Sequence, residues 1–150
     1  MDYCKTILSI VEEYREPLRI NMMNDDFARK ADQRKWSKKE IMGHLCDSAV
    51  NNHRRFIQLL GSNQFVQIQS YDQNLWVAAN NYQDGFMSCQ EVLELWTLLN
   101  KQIAGVVKSY ADEDLTKEVI LSDGRKETAA WLIEDYIRHM IHHLKVILPS

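Results

Sequence analysis

The histidines are the residues of this chain whose type and spacing best suit chemistry. His139 and His143 are four positions apart, which places them about 40° apart around an α-helix. Their Cβ atoms would lie about 5–6 Å from each other, so the two imidazoles can chelate one metal ion. Residues 140–142 lack the glutamate of the zinc-protease pattern H-E-x-x-H, which excludes that class of enzyme.

The other three histidines occupy different faces of their predicted helices. His142 falls almost opposite the apolar side of the last helix, so we expect it in solvent. His44 and His53 are nine positions apart, about half a turn in phase, so only one of them can face the interior.

A polar stripe shares the helix face of His44. It consists of Ser48, Asn51 and Arg55, and it suits a polar pocket better than an apolar core. The competing interpretation is structural, because a buried histidine is usually a hydrogen-bonded core residue and a pair at this spacing also arises by chance. Spacing alone therefore leaves both interpretations open.

The elements that must position these side chains are mostly helical. Apolar residues at steps of three and four predict four long amphipathic helices, over residues 2–23, 37–60, 88–109 and 128–147. Ser37 with Glu40, and Ser88 with Glu91, form the capping-box pattern that starts a helix. Thr128 caps the last helix.

The remaining segments are shorter. Pro17 predicts a kink or a break in the first helix at Glu16. Residues 74–82 favour a short helix, and residues 116–121 with the Asp-Gly turn that follows favour a short β-like arm before the last helix. Four long helices with moderate loops predict a helical bundle, a fold that builds its sites from side chains on facing helices.

Composition argues against several function classes, although it leaves a local basic patch open. With 150 residues, 45% hydrophobic and 26% charged, the chain is expected to form one domain over 1–150. A net charge of -3 gives no general attraction for nucleic acid. We expect no secretory signal and no membrane span, since no stretch approaches about 20 apolar residues. Three separated cysteines without a C-x-x-C pair indicate the cytoplasm.

Three stretches resemble the DinB/YfiT-like superfamily. Residues 36–48, WSKKEIMGHLCDS, are similar to its W-S-x-x-E-x-x-x-H-L-x-D-S opening, and residues 135–144, DYIRHMIHHL, to its C-terminal H-x-x-x-H-L signature. Residues 71–76, YDQNLW, resemble the loop after its second helix. The resemblance spans nearly the whole chain and implies an all-α four-helix bundle with one long crossover connection.

The resemblance also implies a divalent metal ion, commonly zinc or nickel, held by three histidines. The matching positions are His44, His139 and His143. Three protein ligands leave an open coordination position, as in catalytic zinc sites. Metal-bound water or a metal-bound thiol is the expected nucleophile, and no protein residue is assigned that role.

Candidates for the remaining roles are few. Metal-bound histidines usually donate their second N–H to a carboxylate or a carbonyl, and Asp47 and Asp135 are the nearest carboxylates, although both suit the helix surface equally well. The polar stripe and two residues of the following loop form the predicted substrate pocket: Ser48, Asn51, Arg55, Asp72 and Trp76.

The leading hypothesis is a metal-dependent enzyme that acts on a small molecule. It is either a hydrolase or a transferase that uses a low-molecular-weight thiol as cosubstrate, the two activities that the resemblance implies. The second hypothesis is a non-catalytic, stress-related protein that binds a metal or a small ligand. The third is a plain helical interaction domain with incidental histidines. A homodimer is an open alternative to a monomer, because twofold dimers are the commonest soluble oligomers.

Overall fold

A computed structural model of the chain describes residues 1–149. In chain order, its elements are α1 (Tyr3–Asn21), a 3₁₀ turn (Asp25–Ala28), α2 (Lys38–Gly61), β1 (Phe65–Gln67), α3 (Gln73–Asn80), α4 (Cys89–Lys108), α5 (Asp112–Leu115), β2 (Glu118–Ile120), β3 (Lys126–Thr128) and α6 (Ala129–Ile147). The four long helices form the bundle: α4 packs against α1 and α2, and α6 packs against α2 and α1. The predicted all-α four-helix bundle is confirmed.

Local capping explains where the bundle helices begin. The Ser37 hydroxyl accepts a 3.1 Å hydrogen bond from the backbone N–H of Glu40, whose carboxylate accepts one of 3.0 Å from the N–H of Ser37. Ser88 and Glu91 form the same reciprocal pair at the start of α4. Each pair satisfies two N–H groups that have no partner within the helix, so both predicted capping boxes are confirmed.

The sequence predicts a kink or a break in the first helix at Glu16, and the break is wrong. Pro17 lies inside α1, which continues without interruption to Asn21. A proline removes one backbone N–H and so frees the carbonyl four residues earlier, here that of Glu13. Because Pro17 and Glu13 are both exposed, water can satisfy that carbonyl, and the helix tolerates the proline.

A small sheet joins the connections outside the bundle. As predicted, β2 and β3 form an antiparallel hairpin, and Gly124 adopts a φ of 87° in its turn, a conformation that glycine adopts without steric cost. The sequence analysis does not predict β1, which pairs in parallel with β2. Through this pairing, the long connection between α2 and α4 is fixed to the arm that precedes α6.

Most of the buried polar side chains in the bundle lie along α2, and Thr97 and Asn100 of α4 are buried as well. Those of α2 include His44, Asp47, Ser48 and Asn52. This arrangement places polar groups where the facing helix α6 can supply partners. Over residues 1–149, no helix combines the length and the hydropathy that a bilayer span requires.

Candidate metal centre

The side chains of His44, His139 and His143 come together between α2 and α6. Their candidate ligand atoms all lie within 4.8 Å of one another. The ring centroid of His44 is 5.0 Å from that of His139 and 4.9 Å from that of His143, and the last two are 4.6 Å apart. The helical pair His139 and His143 thus meets a third imidazole from a different helix, as the predicted metal site requires.

The nitrogen positions suit a single divalent cation. The Nε2 atoms of His44 and His139 are 3.1 Å apart, and two nitrogens on one tetrahedral zinc ion at about 2.0–2.1 Å would be separated by about 3.3 Å. A hydrogen bond between two neutral imidazoles fits the same distance. That bond involves only two rings, whereas a cation would also account for the approach of the third ring. Imidazole nitrogen suits zinc, nickel, copper and iron.

The protein environment keeps these rings neutral. Burial, and then the neighbouring His139 and His143, lower the pKa of His44 to about 4. Burial, followed by His139 and His142, lowers the pKa of His143 to about 4. Burial also lowers the pKa of His139, although Asp135 opposes the change. The neutral imidazole is the form that binds a metal ion, so the cluster needs no deprotonation at neutral pH.

A tryptophan covers the cluster on one side. The ring of Trp36 packs on His44 with centroids 4.9 Å apart, and the His44 side chain is only 1% exposed. The Nδ1 atom of His44 is buried and has no hydrogen-bond partner within residues 1–149. Histidine spacing gives no signal for Trp36, but its place immediately before the Ser37 cap fixes it at the start of α2.

The two predicted carboxylate partners lie elsewhere. Asp47 Oδ1 accepts hydrogen bonds from Tyr82 Oη at 2.6 Å and from Asn80 Nδ2 at 2.8 Å, and burial raises its pKa against the effect of both bonds. Asp135 is exposed and pairs with Arg138 at 3.3 Å. Among the described residues, neither carboxylate accepts a hydrogen bond from a histidine.

A glycine makes room for the residue that holds Asp47. A Cβ atom added at Gly43 would lie 2.1 Å from Cδ2 of Tyr82, far inside van der Waals contact. Tyr82 can therefore reach Asp47 only because position 43 carries no side chain. This contact joins residues that are far apart in the sequence, so helical periodicity does not predict it.

Two of the predicted pocket residues, Asn51 and Arg55, line one polar cavity. It has a volume of about 330 Å³ and lies between the second half of α2 and the segment around β1. Tyr71 lines the same cavity, and the Arg55 guanidinium carbon is 6.0 Å from the centre of its ring. The prediction does not name Tyr71, although the quoted 71–76 motif begins with it.

The other three predicted pocket residues do not line that cavity. Ser48 is buried in α2, where its backbone carbonyl and its hydroxyl accept hydrogen bonds from Asn52. Asp72 is exposed and caps α3 by accepting a 3.1 Å hydrogen bond from the N–H of Leu75. Trp76 lines a different surface depression on α3, and its ring centroid is 5.5 Å from that of Tyr71.

The cysteine nearest the histidines is unsuited to nucleophilic chemistry. Cys46 is 1% exposed, and its Sγ atom lies 3.6 Å from the carbonyl oxygen of Val92. Burial, and then the charge of Asp47, raise the pKa of its thiol. A high pKa disfavours the thiolate, which is the reactive form. The expectation that no protein side chain is the nucleophile stays a prediction.

Comparison with known proteins adds a family and a fold. The family described as the DinB superfamily matches residues 16–147. YfiT from Bacillus subtilis, described as a probable metal-dependent hydrolase with an unusual four-helix bundle topology, has 20% identity and a TM-score of 0.78, over 96% of this chain and 83% of that chain. No curated protein matches the sequence.

Two further solved structures share the fold. The mycothiol-dependent maleylpyruvate isomerase has 12% identity and a TM-score of 0.70, over 98% of this chain but only 61% of that chain. A DinB-like protein from Bacillus subtilis has 18% identity and a TM-score of 0.60, over 95% and 86%. At these identities the likeness shows the architecture alone.

Proposed function

Because the chain belongs to the DinB superfamily, we propose that it is a metal-dependent enzyme that acts on a small molecule. The reaction is either a hydrolysis or a transfer that uses a low-molecular-weight thiol. One observation carries the proposal: His44, His139 and His143 converge from two helices with all candidate ligand atoms within 4.8 Å of one another.

The three imidazoles would hold a divalent ion, zinc or nickel. When bound, such an ion would supply Lewis acidity and would lower the pKa of a water or thiol ligand. The surrounding residues prepare the ligands: burial keeps the rings of His44 and His143 neutral, and Trp36 packs on the ring of His44. These contacts limit the orientations open to the His44 ring.

Both reaction classes have support outside this chain. YfiT is described as a probable metal-dependent hydrolase, and the isomerase is described as mycothiol-dependent. Cys46, two residues after His44, is buried and its pKa is raised by burial. In the thiol-dependent reaction, the reacting sulfur would therefore come from a cosubstrate rather than from Cys46.

A turnover assay tests the proposal. Full-length protein is stripped with a chelator, reconstituted with Zn²⁺ or Ni²⁺, and assayed with a panel of esters and amides and with low-molecular-weight thiols plus electrophiles. We expect metal-restored turnover in one of the two panels, lost in His44→Ala and kept in His142→Ala, since His142 is exposed. Stoichiometric metal binding without turnover in either panel would favour the non-catalytic binding protein instead.

A further inference from the structure

The polar cavity beside the second half of α2 has an unusual charge. Its lining includes Arg54 and Arg55 but no aspartate or glutamate, and most of its other residues carry amides or hydroxyls, including Gln58, Ser70 and Tyr71. The whole chain has a net charge of -3. A local excess of two positive charges is therefore a property of this cavity, which we call the arginine cavity, and not of the protein.

The partners of Arg55 within the protein are all neutral. Its Nη2 atom donates a 2.6 Å hydrogen bond to the backbone carbonyl of Gln69, and its Nη1 atom donates one of 3.4 Å to Oδ1 of Asn52. The side chain is half-buried, and burying a cation without a countercharge is costly. Guanidinium groups stay protonated at neutral pH, so this cost persists under ordinary conditions.

The carboxylates of the adjoining cavity are already paired. Asp123 and Asp135 line an adjoining cavity that shares Arg55. However, Asp123 pairs with Arg125 at 2.8 Å, and Asp135 pairs with Arg138 at 3.3 Å. The ion pairs found within residues 1–149 include neither Arg54 nor Arg55.

We propose that the arginine cavity binds an oxyanion, the carboxylate or phosphate group of a small molecule, through Arg54 and Arg55. A planar guanidinium matches both groups with two parallel hydrogen bonds. The bound anion supplies the countercharge that Arg55 lacks. The neutral donors of Gln58, Ser70 and Tyr71 line the same space and are available to the remaining oxygen lone pairs.

The arginine cavity and the histidine cluster occupy the same side of α2. Arg55 follows His44 by eleven positions, which corresponds to about 20° in helical phase and about 16 Å along the axis. Tyr71 connects the two regions: it lines the cavity, and its pKa is raised by burial and then by Asp47, one turn after His44. Resting on the proposed function, this geometry indicates an elongated substrate with its anionic group at one end and its reacting group at the other.

An NMR titration of the metal-free, full-length chain tests anion binding directly. Sodium phosphate and sodium succinate are added separately, with sodium chloride at equal ionic strength as the reference. We expect saturable amide shifts in residues 51–58 and 67–71 that chloride does not produce. Arg54→Gln and Arg55→Lys should each weaken binding about tenfold, because each loses charge-assisted hydrogen bonds to the anion.

Matched variants separate a specific site from general charge. Arg15→Gln removes one positive charge from the exposed surface of α1 and should leave the affinity unchanged. The Arg54 side chain is exposed, and the hydrogen bond to the Gln69 carbonyl comes from Arg55, so Arg54→Gln tests binding without disturbing the segment that Arg55 holds. The more tightly bound anion identifies the headgroup as phosphate or carboxylate.

Two results would overturn the inference. They are equal shifts with chloride, and unchanged affinity in both Arg54→Gln and Arg55→Lys. Anion binding should not depend on the metal site, so His44→Ala should keep the anion affinity. Retained anion binding without metal-restored turnover would count against the proposed function alone, and turnover without anion binding would count against the arginine cavity alone.

Discussion

The Tyr82 hydroxyl donates a 2.6 Å hydrogen bond to Oδ1 of Asp47, one turn after His44 in α2. Asn80 donates a second hydrogen bond to the same oxygen. Both donors belong to the connection between α2 and α4, so this segment influences the pKa of a buried carboxylate one turn from His44. Hydrogen bonds to the ionised form lower a carboxyl pKa, whereas burial raises it, and burial is the larger effect at Asp47.

Replacing Tyr82 with phenylalanine should raise the pKa of Asp47 further. The variant removes one of the two side-chain hydrogen bonds to the carboxylate and should also destabilise the fold by about 1–3 kcal/mol. The pKa is measured by ¹³C NMR titration of the Asp47 carboxyl group. Tyr110→Phe is the control, because it removes a 2.6 Å hydrogen bond to the carbonyl of Phe56 instead. An unchanged Asp47 pKa in Tyr82→Phe would contradict the hydrogen bond between Tyr82 and Asp47.

Gly43→Ala should destabilise the protein by about 1–3 kcal/mol, the usual cost of overpacking. Its Cβ atom would lie 2.1 Å from the ring of Tyr82, so the ring must move away from Asp47. Gly105→Ala is the matched control in α4, because nothing lies within 4 Å of its added Cβ. Alanine there should stabilise the helix by about 0.5–1 kcal/mol. Urea unfolding measures the change in stability of both variants, and equal changes would refute the close approach of Tyr82 to Gly43.

The metal-free protein should lose stability as the pH falls from about 6.5 to about 4. Burial and neighbouring imidazoles lower the pKa values of His44 and His143 to about 4, whereas both residues titrate near 6.5 in the unfolded chain. Between about pH 4 and pH 6.5 the unfolded state binds more protons than the folded state. The free energy of unfolding therefore falls on acidification through this window, and it is retained at higher pH.

Urea unfolding at several pH values measures this dependence. His44→Asn and His143→Asn each remove one group whose pKa is lowered, so each should flatten the slope between pH 4 and 6.5. His53→Asn is the control, because His53 lies about half a turn from His44 around α2, and its slope should match that of the native chain. A slope that neither of the first two variants changes would show that the folded pKa values are not lowered.

The features that the sequence predicts are those with local signals. The capping boxes at Ser37 and Ser88 and the cap at Thr128 depend on residues three positions apart, so the starts of three bundle helices are predictable. The helical phase also places His139 beside His143 and His142 in solvent. His44 joins them only through the packing of α2 on α6, and its place beside them is predicted from the family resemblance rather than from spacing.

Features that depend on distant residues are not predictable in this way. The three-residue strand β1 exists because it pairs with β2, more than 50 positions later, and so short a segment has no periodicity of its own. The partners of Asp47 likewise come from beyond α2. Asp72 has a local signal, because it stands before α3 as an N-cap, and that role competes with the predicted place in a pocket. A single domain over 1–150 stays a prediction.

The amount of metal that each variant binds is the most direct test of the three-histidine site. Chelator-treated protein is dialysed against Zn²⁺ or Ni²⁺ and analysed by inductively coupled plasma mass spectrometry. We predict one ion per chain in the native protein and in His142→Ala, and a loss of bound metal in His44→Ala, His139→Ala and His143→Ala. A native chain that binds no ion, or a His44→Ala variant that keeps a full equivalent, would contradict the account.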